Sequence, residues 1–297
     1  MDTSTLLANL LIDGLVTGSL YALVAIGFSL MWWLSDIVHL AHGGVMLVAG
    51  YVVFAVVAAL GWPLALGLLL SLLVVMALSL IIDEVIYRPL QERKTSEMGL
   101  ITASLGILIA LEFGLIITFG PEGVSADAGG LRAPLASPML MAFDGYSVLV
   151  LGTALVAFAA LGLFMGYTRI GRELRAVAEN RHLARVLGID GRKAQRITCM
   201  LAAALVVPVS AFYLFNVGVT PHEILYIILI AAAVAIIGGR GSIAGALLAG
   251  LVVGVTESVM VWFFDSGWRL VVTFGLLYAL LLIRPQGLFG KVSTGKP

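Results

Sequence analysis

The sequence predicts an all-α, polytopic membrane protein, and three features predict it. Of its 297 residues, 61% are hydrophobic and 11% are charged, and the mean hydropathy is +1.10. A soluble domain carries roughly 25% charged residues, so this chain lacks the charge to cover a comparable aqueous surface. Its apolar segments are long, and the polar breaks between them are brief. We therefore predict a single membrane domain over 1–297, with no separate soluble domain.

Each predicted span is an apolar run that can cross a bilayer core of about 30 Å, which takes about 20 helical residues. Some runs are short or broken, so we predict eight or nine membrane segments with interrupted helices. The first run is predicted to be a retained span, because residues 1–9 lack the basic start of a secretory signal. The candidate spans are 7–34, 38–60, 63–87, 99–119, 146–167, 194–217, 224–238, 244–264 and 268–283.

Composition and spacing exclude several function classes. The net charge is +0, which predicts no nucleic-acid partner. The one cysteine, Cys199, lies in an apolar run, so no intrachain disulfide or metal cluster is expected. The segment 238–242 resembles a phosphate loop but lacks its Gly-Lys-Ser/Thr ending. No catalytic triad or zinc-ligand spacing occurs, so we predict no catalytic residues, no metal and no ATP hydrolysis by this chain.

Positive charge sets the predicted orientation, since cytoplasmic connections are enriched in Lys and Arg. The connection 120–145 has three acidic residues against Arg132 alone and is predicted to be external. The N-terminus is then outside and the C-terminus cytoplasmic. Arg240, in a glycine-rich break, fits either side. The regions predicted to be cytoplasmic are 88–94, 169–196 and the C-terminus with Arg284, Lys291 and Lys296.

Residues 168–196, here called the basic loop, lie between two long apolar runs and hold eight of the 17 Lys and Arg residues. Leu174, Val177 and Ala178 recur at helical spacing, which predicts an amphipathic helix. Asn180 is placed to cap a second short helix and Gly188 to end it. Such a structured loop indicates a docking element for a cytoplasmic partner. The alternative, that its arginines only set topology, explains the charges but neither the apolar stripe nor the caps.

Two segments repeat a pattern weakly: an apolar helix, a glycine-rich interruption and a second apolar helix. The first interruption contains His42-Gly43-Gly44, and the second is the segment 238–242. Paired interrupted helices indicate a transport site at a repeat interface. The alternative is chance, since 34 glycines in a membrane chain produce such similarities by themselves.

Three polar residues flank the first interruption: Asp36, His39 and His42. Gly43 and Gly44 would let helices or a solute approach the backbone closely. The histidines could bind a solute or shuttle protons. Alternatively, these polar side chains lie near the cytoplasmic interface and are simply hydrated.

Two carboxylates, Glu112 and Glu257, lie inside apolar spans. A charged side chain at a helix centre costs about 2.5–3.5 kcal/mol on insertion scales, so each must face protein or water. Each carboxylate could line a pathway, be protonated or pair with a partner subunit. The structural alternative is a satisfied hydrogen bond between helices. Asp83 and Glu84 are instead predicted to lie at the inner interface, in a local ion pair.

Short motifs follow one another along nearly the whole chain. They are Gly18-Ser19-Leu20-Tyr21-Ala22-Leu23, Ala41-His42-Gly43, Tyr87-Arg88-Pro89-Leu90, Phe119-Gly120-Pro121, Arg172-Glu173-Leu174-Arg175-Ala176-Val177-Ala178-Glu179-Asn180, Gly188-Ile189-Asp190, Gly238-Gly239-Arg240-Gly241-Ser242 and Arg284-Pro285-Gln286-Gly287-Leu288-Phe289-Gly290. Each is weak alone. In this order and spacing, they make the chain resemble the permease subunits of bacterial ABC importers of the branched-chain amino acid type.

The resemblance implies an inner-membrane subunit that pairs with a second, related permease, as a heterodimer. Two cytoplasmic ATPase subunits would bind ATP and Mg²⁺, so this chain would bind no cofactor itself, and a periplasmic binding protein would deliver the solute. The basic loop corresponds to the family's coupling loop. The ATPase-coupling residues that the resemblance implies are Arg172, Arg175, Ala178, Glu179, Asn180, Gly188, Ile189 and Asp190.

The chain departs from the family pattern in the predicted translocation pathway. Family members usually have Asn-Phe-Ala-His-Gly and then an acidic or small polar residue where this chain has residues 39–44. An amide is common at the position of Glu112, and proline at that of Ala244. The solute is therefore predicted only as a class: an amino acid, an amide or a small organic or aromatic acid. The predicted pathway residues are His39, His42, Gly43, Gly44, Glu112, Gly239, Gly241, Ser242 and Glu257.

Two other functions are compatible with the sequence. A secondary transporter of a small solute would use Glu112 and the histidines for proton coupling and would need no ATPase. A channel or passive scaffold subunit is the third possibility. The capped basic loop and the interrupted helices count against it, but neither excludes it. An importer responds to ATP depletion, whereas the secondary transporter responds to collapse of the proton gradient.

Overall fold

The computed structural model describes residues 3–127 and 144–290, with side chains from Leu6 onward. Arg132, Lys291 and Lys296, which served above to predict the orientation, lie outside these residues. The regular elements of the two described ranges are helices, with an isolated antiparallel bridge between Val124 and Val219. The predicted all-α class is confirmed.

Twelve α-helices of the described residues carry the architecture, with short π-helical and 3-10 turns between some of them. The α-helices are α1 (Thr3–Ser35), α2 (Ala41–Phe54), α3 (Leu64–Ile82), α4 (Arg88–Glu92), α5 (Glu97–Phe119), α6 (Gly145–Tyr167), α7 (Arg169–Glu179), α8 (Arg181–Val186), α9 (Gly191–Asn216), α10 (Ile224–Gly238), α11 (Ile243–Phe263) and α12 (Arg269–Ile283). π-Helical turns at Ala55–Ala59 and Asp83–Tyr87 prolong α2 and connect α3 to α4, and 3-10 turns at Pro221–Glu223 and Ser266–Trp268 precede α10 and α12.

Nine helical segments of the described residues are long and apolar enough to cross a membrane, and they correspond to the nine predicted spans. The largest boundary difference is in the third span, predicted to end at residue 87, which continues to Glu92. Pro89 lies within this segment, as the second residue of α4 directly after the π-helical turn Asp83–Tyr87. π-Helical turns and proline are both places where the regular helical hydrogen-bond ladder is interrupted without ending the helix.

One compact unit comprises residues 30–127 and 160–228, and α2 packs against α3, α5 and α9 within it. Nearly every residue of α2 is buried. Two hydroxyls from neighbouring helices donate to its backbone carbonyls: Ser71 to Ala49 at 3.0 Å and Ser210 to Met46 at 2.7 Å. Such interhelical hydrogen bonds satisfy polar groups where no water reaches them.

The other compact unit comprises residues 1–29, 128–159 and 229–297. Here α1 and α11 cross at glycines: a Cβ atom on Gly18 would lie 2.5 Å from the carbonyl oxygen of Gly250. The contact repeats one turn along, where a Cβ atom on Gly254 would lie 2.4 Å from the carbonyl oxygen of Gly14. Small residues spaced four apart allow this close approach of membrane helices. The structure divides into these two compact units, and the single membrane domain predicted over 1–297 stays a prediction.

Candidate docking element and translocation residues

The basic loop folds into α7 and α8, and the capping residues predicted for it act as caps. The Asn180 side chain accepts a hydrogen bond from the backbone N–H of Leu183 at 2.9 Å, at the start of α8. Gly188 has a φ of +78° and its N–H donates to the carbonyl of Arg185 at 3.0 Å, which ends the helix. Thr168 caps α7, and Asp190 caps α9. The loop is therefore a helical hairpin whose two helices begin at side-chain caps.

The apolar stripe of α7 faces the chain's own helices. Leu174 and Val177 are 2% and 1% exposed, and Ala178 is half-buried. Leu174 shares an apolar crevice with Trp33 near the end of α1 and Met165 near the end of α6. The inference that the apolar stripe of α7 contacts a partner was therefore wrong. A stripe at helical spacing looks the same whether it packs on its own chain or on another.

The large hydrophobic residues that the hairpin exposes most lie instead on and just after α8, whereas Ile170 of α7 is 36% exposed. Leu183 is 55% exposed, Val186 71% and Leu187 70%. Sequence reasoning missed all three, although each is a large hydrophobic residue in a hydrophilic segment. Of the predicted coupling residues, Ala178 and Ile189 are half-buried and the others are exposed, namely Arg172, Arg175, Glu179, Asn180, Gly188 and Asp190. We define the docking surface as these eight coupling residues together with Leu183, Val186 and Leu187.

Ion pairs fasten the beginning of α9 to the helical segment that ends at Glu92. Arg192 pairs with Glu92 at 2.6 Å and Arg196 with Glu84 at 2.5 Å, while Arg88 pairs with both acidic residues. Single exposed ion pairs contribute little, but a network with shared members holds its geometry better. The local ion pair predicted for Glu84 is confirmed.

Asp83, grouped with Glu84 by the sequence, behaves differently. It is buried, and its Oδ1 accepts a hydrogen bond from the side-chain amide of Gln195 at 2.5 Å. Because Gln195 belongs to α9, this bond ties the same two helical segments together beneath the ion pairs. The docking surface thus adjoins a firmly connected pair of membrane helices.

His39 and His42 are buried, at 4% and 1% exposed, with their ring centres 5.9 Å apart. The His39 Nδ1 atom lies 2.7 Å from the Tyr87 hydroxyl, which in turn donates to the Ser104 hydroxyl at 3.0 Å. The Ser104 oxygen also accepts from the backbone N–H of Ala41 at 2.9 Å. The alternative of a hydrated interface is therefore wrong for both histidines, although Asp36 is exposed.

Burial, followed by the nearby His42, lowers the pKa of His39 from its ordinary value of 6.5 to about 3. His39 is therefore neutral at physiological pH, because the low-polarity surroundings penalise the imidazolium ion. A neutral imidazole at this position fits a structural hydrogen bond. It does not fit a proton carrier, which must titrate near the operating pH.

Gly43 and Gly44 are positions where α2 approaches its neighbours. A Cβ atom on Gly43 would lie 3.1 Å from the Cβ atom of Ile228, and one on Gly44 would lie 2.9 Å from a methyl carbon of Leu111. Both glycines thus serve tight helix packing. Their role in translocation stays a prediction.

Glu112 has a partner that sequence reasoning missed. Its Oε1 atom lies 3.1 Å from the Nδ1 atom of His222, in the turn before α10. The alternative of an interhelical bond holds for this carboxylate. A mostly apolar crevice adjoins that turn, bordered by Met46, Ile227 and Glu223 among others. No local pattern links residues 110 positions apart, so the pair could not be found from spacing.

Glu257 is buried, at 2% exposed, inside α11. Its Oε1 atom accepts a hydrogen bond from the Thr273 hydroxyl of α12, and Tyr21 of α1 also hydrogen-bonds to the carboxylate. The alternative of a hydrogen bond between helices therefore holds for Glu257 as well. The other carboxylate oxygen, Oε2, has no hydrogen-bond partner within the described part of the chain.

Gly239, Gly241 and Ser242 form the turn between α10 and α11. The N–H of Gly241 donates to the Ser29 hydroxyl at 2.8 Å, and Ser242 caps α11 by accepting from Gly245 at 3.0 Å. The motif at 284–290 packs on the same turn, with the N–H of Leu288 donating to the carbonyl of Ile237 at 2.8 Å. Two motifs that lie far apart in sequence are thus in contact. Their role in a pathway stays a prediction.

Comparison with protein families gives one family over most of the chain. The model described as "Branched-chain amino acid transport system / permease component" matches residues 10–281. The chain is 28% identical to the high-affinity branched-chain amino acid transport system permease protein LivH of Escherichia coli (strain K12), covering 96% of each chain. It is 30% identical to the corresponding permease protein BraD of Pseudomonas aeruginosa, again covering 96% of each.

More distant similarities extend this comparison. The probable branched-chain amino acid transport permease protein LivH of Methanocaldococcus jannaschii is 28% identical, over 95% of this chain and 92% of that protein. Among solved structures, PsaBC from Streptococcus pneumoniae in complex with Fab matches with a TM-score of 0.52 and 15% identity, over 93% of this chain and 92% of that one. At that identity, the structural match supports the fold alone.

Proposed function

Since this chain belongs to the family of permease components of branched-chain amino acid transport systems, we propose that it forms half of the translocation pathway of an ATP-driven importer. The chain is a transport subunit and not an enzyme. In the proposed assembly it pairs with a second, related permease in a bacterial inner membrane. Two ATPase subunits bind ATP and Mg²⁺ on the cytoplasmic side, and a periplasmic binding protein delivers the solute.

The docking surface carries this proposal. It exposes Leu183, Val186 and Leu187 to solvent beside several arginines, in a segment that no lipid covers in the proposed orientation. Large exposed hydrophobic residues surrounded by charges are typical of protein interfaces. The caps at Asn180 and Gly188 hold the surface in one shape, as a mechanical contact with a moving partner requires.

The orientation in this proposal follows from the alternation of the spans. If all nine candidate spans cross the membrane, Arg93, Lys94 and the basic loop share one side, and Arg240 and Arg284 join them. Of the described Lys and Arg residues, Arg269 alone adjoins the opposite side. The bias of positive charge then makes the first side cytoplasmic, with the N-terminus outside and the C-terminus inside.

The solute that we propose is a branched-chain amino acid or a related small polar molecule, such as another amino acid, an amide or a small organic or aromatic acid. The family and the relatives named above support the first choice. The departures at His39 and Glu112 keep the wider class open. Uptake into proteoliposomes containing the whole importer, with labelled leucine competed by each other class, decides between them.

The geometry argues against the proton-coupled secondary transporter. Burial lowers the pKa of His39 to about 3, which keeps it neutral at physiological pH, and Glu112 contacts His222. Proton coupling needs a group that changes protonation during the cycle. In cells, the importer therefore loses uptake when ATP is depleted and keeps it when the proton gradient is collapsed. The opposite response would favour the secondary transporter.

The docking surface can be tested by Leu183→Asp. Leu183 is the third residue of α8, where an acidic side chain is favourable, so the helix should persist. We expect at least about a tenfold fall in the amount of ATP-hydrolysing subunit that copurifies, as for an interface residue worth more than about 1.4 kcal/mol.

Leu60→Asp is the matched control for this variant. It makes the same exchange at a comparably exposed residue in the connection after α2, which the proposed orientation places outside. It should keep the ATPase. Equal retention of the ATPase by both variants would exclude α8 from the interface.

A further inference from the structure

Arg181, the first residue of α8, reaches across to the end of α1. Its Nε atom donates to the backbone carbonyl of Leu34 at 3.2 Å, and its Nη2 atom donates to the same carbonyl. Leu34 belongs to the last turn of α1, whose carbonyls have no helical partner ahead of them. A cationic side chain at a helix C-terminus satisfies such carbonyls and is favoured by the helix dipole.

Two further hydrogen bonds at this helix end are local. The Ser35 hydroxyl donates to the carbonyl of Met31 at 2.5 Å, and the backbone N–H of Asp36 donates to that of Trp32 at 3.1 Å. The Arg181 residue is exposed as a whole, but its guanidinium group lies against protein. This burial lowers the pKa of Arg181, while the nearby Asp36 acts in the opposite direction.

The chain leaves α1 sharply at this point. Asp36 has a φ of +57°, a left-handed conformation that is uncommon outside glycine. Five residues later α2 begins, and the intervening segment is held by the His39–Tyr87 hydrogen bond and by the bond from Ala41 to Ser104. The connection is thus short and fixed at both ends. A displacement of the end of α1 must be passed on to the start of α2.

A second contact joins the same elements. Leu174 of α7 borders the apolar crevice that Leu30, Trp33 and Leu34 of α1 also line. The hairpin therefore contacts α1 in two ways, through apolar side chains at Leu174 and through the hydrogen bonds of Arg181. The apolar contact resists closer approach of the hairpin to α1, and the hydrogen bonds also resist their separation.

We propose that Arg181 is a positioning residue that transmits movement of the docking surface to the connection between α1 and α2. This inference rests on the proposed function, in which that surface binds an ATPase. When the ATPase moves α8, the Leu34 carbonyl follows, and residues 36–40 with the buried His39 follow in turn. Lysine should replace arginine poorly, because it lacks the second donor of the planar guanidinium group.

The test uses the complete importer with a reporter cysteine in that connection. Val38→Cys, in a Cys199→Ala background, provides a half-buried thiol between Asp36 and His39. Its rate of maleimide labelling is measured without nucleotide and with ATP, Mg²⁺ and vanadate.

The variant under test is Arg181→Gln, with Arg181→Lys as the conservative exchange. The control is Arg169→Gln, which removes an equal charge from a residue paired with Glu173 in α7.

We expect nucleotide to change the labelling rate several-fold with Arg181 present. In Arg181→Gln the ATPase should remain bound and hydrolyse ATP, while the several-fold effect of nucleotide on the labelling rate is lost. The effect of nucleotide on the labelling rate of Arg181→Lys should lie between those of the parent and of Arg181→Gln. Arg169→Gln should respond as the parent does.

Several results would overturn the inference. A preserved response in Arg181→Gln would show that the bond transmits nothing. Loss of the ATPase from that variant would make Arg181 a docking residue instead. A parent that binds the ATPase but shows no response would show that the connection does not move. If the parent binds no ATPase, the proposed function itself fails, and this inference fails with it.

Discussion

The two segments predicted as glycine-rich interruptions look alike in sequence but are held by different means. The first break is residues 36–40, because His42, Gly43 and Gly44 already belong to α2. It is fixed by buried side chains, through the bonds among His39, Tyr87 and Ser104. Residues 239–242 are fixed mainly through the backbone, because the segment 284–290 donates its N–H groups to the end of α10. The first interruption therefore depends on which side chains are present. The second depends on the absence of side chains, at its glycines.

Gly239→Ala should have the largest effect on the second interruption. A Cβ atom on Gly239 would lie 2.5 Å from the backbone nitrogen of Gly290, and its φ is +94°. We expect a loss on the order of 3 kcal/mol in the free energy of unfolding, measured by denaturant titration in detergent micelles.

Gly106→Ala is the control for this exchange, because no atom lies within 4 Å of its added Cβ and its helical backbone accepts alanine. It should be neutral or slightly stabilising. A Gly239→Ala protein as stable as Gly106→Ala would mean that the segment 284–290 does not close the turn.

The first interruption should respond to pH through His39. Its folded pKa of about 3 lies below the ordinary value of 6.5, so the unfolded chain takes up the proton first as the pH falls. The stabilising contribution is complete above about pH 6.5 and is lost as the pH falls toward about 3. Between pH 7 and pH 5, this one group should remove about 2 kcal/mol of the free energy of unfolding.

Comparing variants across this pH range isolates the contribution of His39. His39→Asn should remove that part of the pH dependence, whereas His182→Asn, at an exposed histidine of α8, should leave it unchanged. An unchanged pH dependence in His39→Asn would show that His39 is not held neutral by its surroundings.

Tyr87→Phe should have the smallest of these effects on the first interruption. It removes the hydroxyl between His39 and Ser104 but leaves the ring in place, so we expect a loss of about 1–2 kcal/mol in the free energy of unfolding. Tyr167→Phe changes an exposed tyrosine and should have no measurable effect. Equal stability of the two variants would indicate that the buried polar chain is dispensable.

Local features of the sequence predicted the fold well. Span length and hydropathy depend on neighbouring residues, and so do the caps at Asn180 and Gly188. Pairing across the fold could not be predicted in this way. The partner of Glu112 is His222, and Arg181 reaches Leu34, in each case more than 100 residues away. Local patterns carry no information on such contacts.

The buried stripe of α7 shows a second reason for error. Amphipathic spacing indicates that one face avoids water, but it does not distinguish the chain's own core from a partner. Leu174 and Val177 turned out to face inward, and the exposed Leu183, Val186 and Leu187 escaped notice because α8 is too short to show a period. Exposure, which the sequence does not contain, separates the two groups.

The central claim is that the docking surface binds an ATPase inside the cell, and a cysteine at an exposed position of that surface tests it directly. Leu187→Cys, in a Cys199→Ala background, is crosslinked in membranes with a short bifunctional maleimide, and the attached subunit is identified by its mass and its ATP hydrolysis. We expect a crosslink to an ATPase subunit whose yield changes when ATP and Mg²⁺ are added. Labelling of that cysteine from the periplasm by a reagent that cannot cross the inner membrane would contradict the account.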